Sequence, residues 1–224
     1  MDMLDQSLGQ LARSVVGATR VFNDYQLDFC CGGKYSLRDA AQRKGIDAEE
    51  IVQRLANLQG AADETDWSAE SSETLIDHIL LRFHERHRQQ LPELIRLARK
   101  VEQTHGDRND CPVGLADHLS EMQQELESHM KKEEQILFPL LLCGQAALVG
   151  GPITIMRMEH DQHGDALQHL LALTNDMNLP QAACSTWRAL YFALRVFRED
   201  LMEHIHLENN ILFENAALLS SVHA

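Results

Sequence analysis

Apolar residues recur along this chain at helical spacing, in a short-period region followed by a long-period one. Leu8, Leu11, Val15, Ala18 and Phe22 share one stripe and predict a first helix over residues 7–24. The run Asp28-Phe-Cys-Cys-Gly-Gly33 interrupts the pattern, since paired glycines reach backbone angles that other residues resist. Ser36-Leu-Arg-Asp39 has the form of a capping box for a short helix stopping near Gly45, and Asp47 can cap another that runs to about Leu58. Residues 1–59 are therefore expected to form a small helical module with a Cys-Cys-Gly-Gly loop. Residues 60–72, GAADETDWSAESS, are small, acidic and without apolar rhythm, and read as a linker.

Residues 73–224 carry four long stripes. The first holds Ile76, Leu80, His84, His87, Leu91, Leu94, Ala98, Val101 and His105, and stays in phase across Pro92, where a kink is expected. The second holds Leu115, Leu119, Met122, Leu126, His129, Glu133, Ile136 and Leu140. The third, opened by Gly150-Gly-Pro152, holds Ile153, Met156, His160, His163, Leu167 and Leu170. The fourth runs Trp187, Leu190, Leu194, Phe197, Leu201, His204, Glu208, Ile211. Breaks near 106–114, 144–151 and 176–183 are short, so consecutive helices should be antiparallel neighbours. The expected fold is all-α: a small module followed by an up-down-up-down four-helix bundle.

Histidine and glutamate occupy positions on these stripes that leucine and isoleucine hold elsewhere. His129 precedes Glu133 by four residues, as His204 precedes Glu208, which puts imidazole and carboxylate side by side on one helix face. Both pairs, and the Ile-Leu-Phe trio after each, repeat at an offset of 75 residues, and His84 and His87 are echoed by His160 and His163 at 76. An exposed pair of this kind is ordinarily a surface contact; a buried row without partners would cost several kcal/mol per group. In an antiparallel bundle His84, His129, Glu133, His160, His204 and Glu208 reach a common depth, where bundles build metal sites. Two carboxylates able to bridge and four imidazoles suit two metals better than one. The nitrogen-rich set favours iron, with zinc or manganese as alternatives. His87 and His163, one turn away, and Glu125 and Glu159, beside the ligand positions, are candidates to orient ligands or line a channel. His105 lies roughly 30 Å from His84 along a continuous helix and should not reach the site.

The formal charge of −14 opposes contact with nucleic acid and anionic lipid, and no apolar run approaches the length of a membrane span. Five cysteines, two of them adjacent, do not form a disulfide framework, and the opening MDMLDQSLGQLARSV lacks a signal peptide's apolar core, so a reducing cytoplasm is expected. Cys30 and Cys31 are either inert thiols or a redox or iron-transfer pair next to flexible glycines. Cys111, Cys143 and Cys184 receive no role.

At Asp28-Phe-Cys-Cys-Gly-Gly-Lys34, Arg82-Phe-His-Glu-Arg-His-Arg88, Leu91-Pro-Glu-Leu94, Glu159-His160-Asp161 and both His-x-x-x-Glu phrases, the chain resembles the YtfE, or repair-of-iron-centres, family, whose larger domain is a hemerythrin-type di-iron bundle. The resemblance implies that His84, His129, Glu133, His160, His204 and Glu208 bind an oxo- and carboxylate-bridged pair of irons, with Glu133 and Glu208 bridging. It also implies repair of iron-sulfur clusters under nitrosative and oxidative stress, with damaged iron-sulfur proteins as clients. Nitric oxide or oxygen would be ligands, and a homodimer is compatible with it. Reduction of nitric oxide to nitrous oxide is the enzymatic alternative; sensing or storage of oxygen or iron is a second.

Overall fold

A computed structural model describes residues 2–31, 33–58, 65–145 and 148–222. Gly32 of the cysteine loop and residues 60–64 of the expected linker lie outside these. The described residues are helical, with one isolated bridge between Ser7 and Ser36. They divide into two compact units, Met1–Ile76 with Met202–Ala224, and Asp77–Leu201.

In the first unit, α1 (Leu8–Ser14), α2 (Ala18–Asp24), α3 (Leu37–Lys44) and α4 (Ala48–Leu58) follow one another closely. A reciprocal capping box between Ser7 and Gln10 opens α1, and Ser36 caps α3 through the Asp39 amide. The single helix expected over 7–24 is two helices, because Gly17 takes φ +83°, a left-handed angle that ends one ladder and starts the next. Leu8, Leu11, Phe22, Phe29, Leu37, Ile51 and Leu55 make the core. The chain returns over α1 at Gly33, whose carbonyl accepts from the Gly9 amide at 2.9 Å. A Cβ on Gly33 would stand 2.5 Å from the Phe29 carbonyl oxygen, so Gly33→Ala must push backbone apart. The expected cost is about 1–3 kcal/mol, seen as an earlier helix-unfolding transition in urea; an unchanged midpoint would show that the loop yields freely.

Four long helical segments fill the second unit. The first joins α5 (Ser72–Ile79) to α6 (Glu85–His105) through a π-turn, Leu80–His84; Pro92 is accommodated inside α6. The second is α7 (Leu115–Lys132), a π-turn over Glu133–Leu137, and α8 (Phe138–Leu142). Then come α9 (Gly150–Leu173) and α10 (Ser185–His206). Side-chain pairs set the direction of each neighbour. His84 meets Glu134 while Glu102 meets the amide of Ala116, so α6 and α7 are antiparallel. His129 meets Glu159 while His118 meets Ala166, which makes α9 antiparallel to α7. Arg82 and Arg86 hold Asp200 while His105 meets Cys184, which closes α10 against the first segment. The molecule therefore carries the up-down-up-down four-helix bundle.

Each π-turn adds a residue to the helical ladder and displaces the stripe that follows it. After Glu133 the buried positions are Leu137 (1% exposed) and Phe138, whereas Ile136, expected on the seam, is 53% exposed. On the first segment Ile79 (0%) is buried in place of the expected Leu80, which is half-buried, for the same reason.

Candidate metal centre

The π-turns fall at candidate ligand positions: one ends on His84, one begins at Glu133, and a third, Leu207–Leu212, carries Glu208. Such turns rotate the next side chains while leaving the helix whole.

Within the second unit, His84, His129, Glu133 and His160 are brought together, each at most 1% exposed. Glu133 sits between two imidazoles, its Oε2 3.4 Å from His84 Nε2 and its Oε1 3.2 Å from His129 Nε2. His160 Nε2 faces His129 Nε2 at 3.1 Å. His129, Glu133 and His160 each offer a ligand atom within 4.8 Å of the others. The outer faces of two rings are fixed by carboxylates. His84 Nδ1 lies 2.8 Å from Glu134 and His129 Nδ1 lies 2.9 Å from Glu159. An ionised carboxylate can only accept, so both Nδ1 atoms carry the hydrogen and both Nε2 atoms turn inward.

That tautomer decides whether a cation fits. In neutral imidazoles with hydrogen on Nδ1, the Nε2 lone pairs point at the Glu133 oxygens and, for His129, at the ring of His160. Lone pair against carboxylate repels, and in a fully buried site no water shields it. Positive charge held among Nε2 atoms and carboxylate oxygens answers all these contacts together. Since the two oxygens of Glu133 face different histidines, the carboxylate is placed to serve two ions.

The supporting charges are graded. The His129 N–H, helped by Lys132, holds Glu159 down at about 2 although burial works against it. Burial disfavours the Arg88 charge, but Glu127 and Glu134 outweigh it and hold the guanidinium ionised well above its ordinary value. Arg88 donates to Glu134 at 2.9 Å and to Glu127 at 2.9 Å, and so fixes the carboxylate that holds His84. Glu134 and Arg88 escape sequence reasoning because they lie off the seam; only their contacts across helices give them a role. Of the expected accessory residues, Glu159 contacts the Nδ1 of His129 at 2.9 Å. His163 stands edge-to-face on His129 with ring centres 5.0 Å apart, and His87 contacts Gln90 at 3.2 Å. Glu125 is exposed and lines a polar cleft with Glu121, Gln162 and Asp165. His105 contacts Cys184.

Within the first unit, His204 Nε2 lies 3.2 Å from Glu208 Oε1, both buried, which repeats the His129–Glu133 contact. The same unit holds the cysteine loop, and the turn after Glu208 anchors it: the Asn209 and Asn210 side-chain amides donate to the carbonyls of Cys30 and Phe29, each at 3.4 Å. Asp28 Oδ1 accepts from the amides of Cys30 and Cys31 at 3.2 and 3.0 Å. The two sulfurs are 3.5 Å apart, and Asp28, Cys30 and Cys31 offer an oxygen and two sulfurs within 4.8 Å. The neighbouring Cys31, and burial next, push the Cys30 thiol up well above its ordinary value, so without a cation it keeps its proton. Burial lowers the adjacent His206 to about 4.

The hemerythrin HHE cation binding domain matches residues 75–216, and a second pattern, described as a domain of unknown function (ScdA_N), matches residues 4–59. A Haemophilus influenzae protein named "Probable iron-sulfur cluster repair protein" is 50% identical over 216 residues, covering 95% of this chain and 97% of that one. Iron-sulfur cluster repair protein YtfE of Dickeya chrysanthemi is 50% identical over 217 residues, covering 96% and 98%, and that of Citrobacter koseri is 48% identical over 216 residues. The chain belongs to the YtfE iron-sulfur cluster repair family. Membership in this family accounts for a cation-binding bundle preceded by a small cysteine-bearing module. None of the helices among the described residues is long and apolar enough to cross a membrane.

Proposed function

We propose that this chain restores damaged iron-sulfur clusters in the cytoplasm under nitrosative or oxidative stress, and that it does so by donating iron. On this reading His84, His129, Glu133 and His160 would hold an iron pair, and the family resemblance assigns His204 and Glu208 to the same ligand set. One observation carries the reading: Glu133 presents one oxygen to each of two inward-facing imidazoles. The repeated His204–Glu208 contact supports a second bridging carboxylate, and the repair relatives support the biology.

When bound, the iron pair supplies a ferrous–ferric couple and open positions for nitric oxide or oxygen. The protein's own groups do the rest. Glu134 and Glu159 retain the Nδ1 protons of His84 and His129, which keeps both rings in the ligating tautomer. Arg88 and Lys132 offset the charge of those carboxylates. Asp28, Cys30 and Cys31, tied to the turn that follows Glu208, are the donors we assign to receive iron as cargo on its way to the client. We place the division of labour at residues 1–59 for this handling module and 73–224 for the bundle, with 60–72 as the linker.

The test is to mix the iron-loaded chain with a cluster-depleted iron-sulfur enzyme and follow recovery of the client's activity. Recovery should exceed that given by the same amount of free ferrous iron and should fall in a Cys30→Ser, Cys31→Ser variant. Recovery no better than free iron sinks the proposal.

A further inference from the structure

His105 closes α6 at the end of the bundle away from the metal centre, and its Nε2 lies 3.2 Å from Cys184 Sγ. Cys184 stands immediately before α10, where the backbone amides of Thr186 and Trp187 turn toward its sulfur. Arg108 stands beside the pair with its charge matched by Asp110. It donates to the Ala182 carbonyl at 3.3 Å and lies 5.3 Å over the Trp187 ring. The His105 ring packs on the same tryptophan, with centres 5.3 Å apart, so the imidazole cannot swing freely from the sulfur. Both dyad residues are half-buried, open to small molecules.

We propose that Cys184 is a modification site: a nucleophilic thiol, activated by His105, that reacts with small hydroperoxides to give a sulfenic acid. The Cys184 proton passes to His105 Nε2 as the sulfur attacks the distal peroxide oxygen. The S–O bond forms as the O–O bond breaks; sulfur loses two electrons and the peroxide gains them. The leaving alkoxide or hydroxide takes the proton back from His105, so thiol and hydroperoxide become sulfenic acid and alcohol or water. A second thiol can condense with the product, releasing water and leaving a disulfide that a further thiol reduces.

Electrostatics agree with the geometry. The His105 contact, with the Trp187 and Thr186 amides, brings Cys184 down to about 7 from an ordinary value of 9.0. Burial, and the charge of Glu102 and Asp110, push Cys111 the other way, as its neighbour and burial do for Cys30. About half of Cys184 is then thiolate at neutral pH, against roughly one part in a hundred for an ordinary thiol; allowing for the weaker nucleophilicity of a more acidic thiol, a rate advantage of about sixfold remains.

The full chain is alkylated with iodoacetamide beside N-acetylcysteine in the same tube, and each cysteine is followed by peptide mass mapping. Cys184 should react about sixfold faster than the reference at pH 7, with a pH midpoint near 7; His105→Gln should bring it within twofold of the reference while Cys143 keeps its rate. With hydrogen peroxide and dimedone, the adduct should form first at Cys184. A wild-type midpoint at the ordinary thiol value, equal rates with and without His105, or a dimedone adduct favouring Cys143 each overturns the proposal. Should His105→Gln unfold the chain, exposing Cys30 to alkylation, the wild-type pH midpoint alone decides.

Discussion

Glu133→Leu is expected to abolish binding of the proposed iron pair while leaving the metal-free protein at least as stable as before. Glu133 is fully buried and touches His84 and His129, the two imidazoles whose other nitrogens are already held by Glu134 and Glu159. Removing it takes away the carboxylate that faces both rings from the inner side, the one group whose two oxygens would join the two halves of the pair. Without iron, the same carboxylate is a desolvated charge, and an apolar side chain of similar volume relieves that cost. Because both imidazoles are neutral, the change leaves no unpaired charge behind. Iron-to-protein ratios should fall from a pair per chain to none, and urea midpoints of the chelator-treated proteins should be equal or higher in the variant. A variant that retains its irons would show that Glu133 does not bridge; one that loses them and also unfolds early would show that the carboxylate is structural.

The opposite signs explain why the site was legible as a pattern and why its details were not. His84, His129, Glu133 and His160 occupy seam positions where stability alone would select leucine, and that mismatch is visible in one dimension. So is the 75-residue repeat, which the His129–Glu133 and His204–Glu208 contacts match at 3.2 Å each. The π-turns were not, because an extra residue in a ladder leaves no mark of its own in residue type. Their effect, Ile136 turned outward and Leu137 inward, shows only in the folded chain. Glu134 and Arg88 read as ordinary surface charges until α6 and α7 come together antiparallel. Asn209 and Asn210 belong to the same class: they follow Glu208, and only their bonds to the Cys30 and Phe29 carbonyls tie the cysteine loop to that turn. Gly17 is a weaker signal, a glycine inside an apparent helix whose left-handed angle breaks it. His105 lies far along α6 from His84, and its partner Cys184 is 79 residues away, a pairing that spacing does not reveal.

Glu159→Gln is expected to loosen iron without touching a ligand. Glu159 accepts from His129 Nδ1 at 2.9 Å and pairs with Lys132. Glutamine keeps the shape and a carbonyl acceptor but lacks the charge that makes His129 a stronger donor through Nε2. Loss of such an orienting carboxylate typically costs 10–100-fold in metal affinity. A chelator competition titration at pH 7 should show that loss, and the optical spectrum of the residual complex should keep its form, since all first ligands remain. Acid supplies the independent check on the metal-free chain. The folded pKa of Glu159, about 2, is below its ordinary 4.5, so the stabilisation from its ionised form is complete above pH 4.5 and disappears as pH falls through 2. Its side chain is 19% exposed, which screens part of the interaction, so the gap between wild type and variant should not exceed about 3 kcal/mol at pH 7. That gap should narrow between pH 4.5 and 2 because protonation removes from the wild type the same charge that the mutation removes. A constant gap across this range, or unaltered iron affinity, would mean that Glu159 packs beside His129 without steering it.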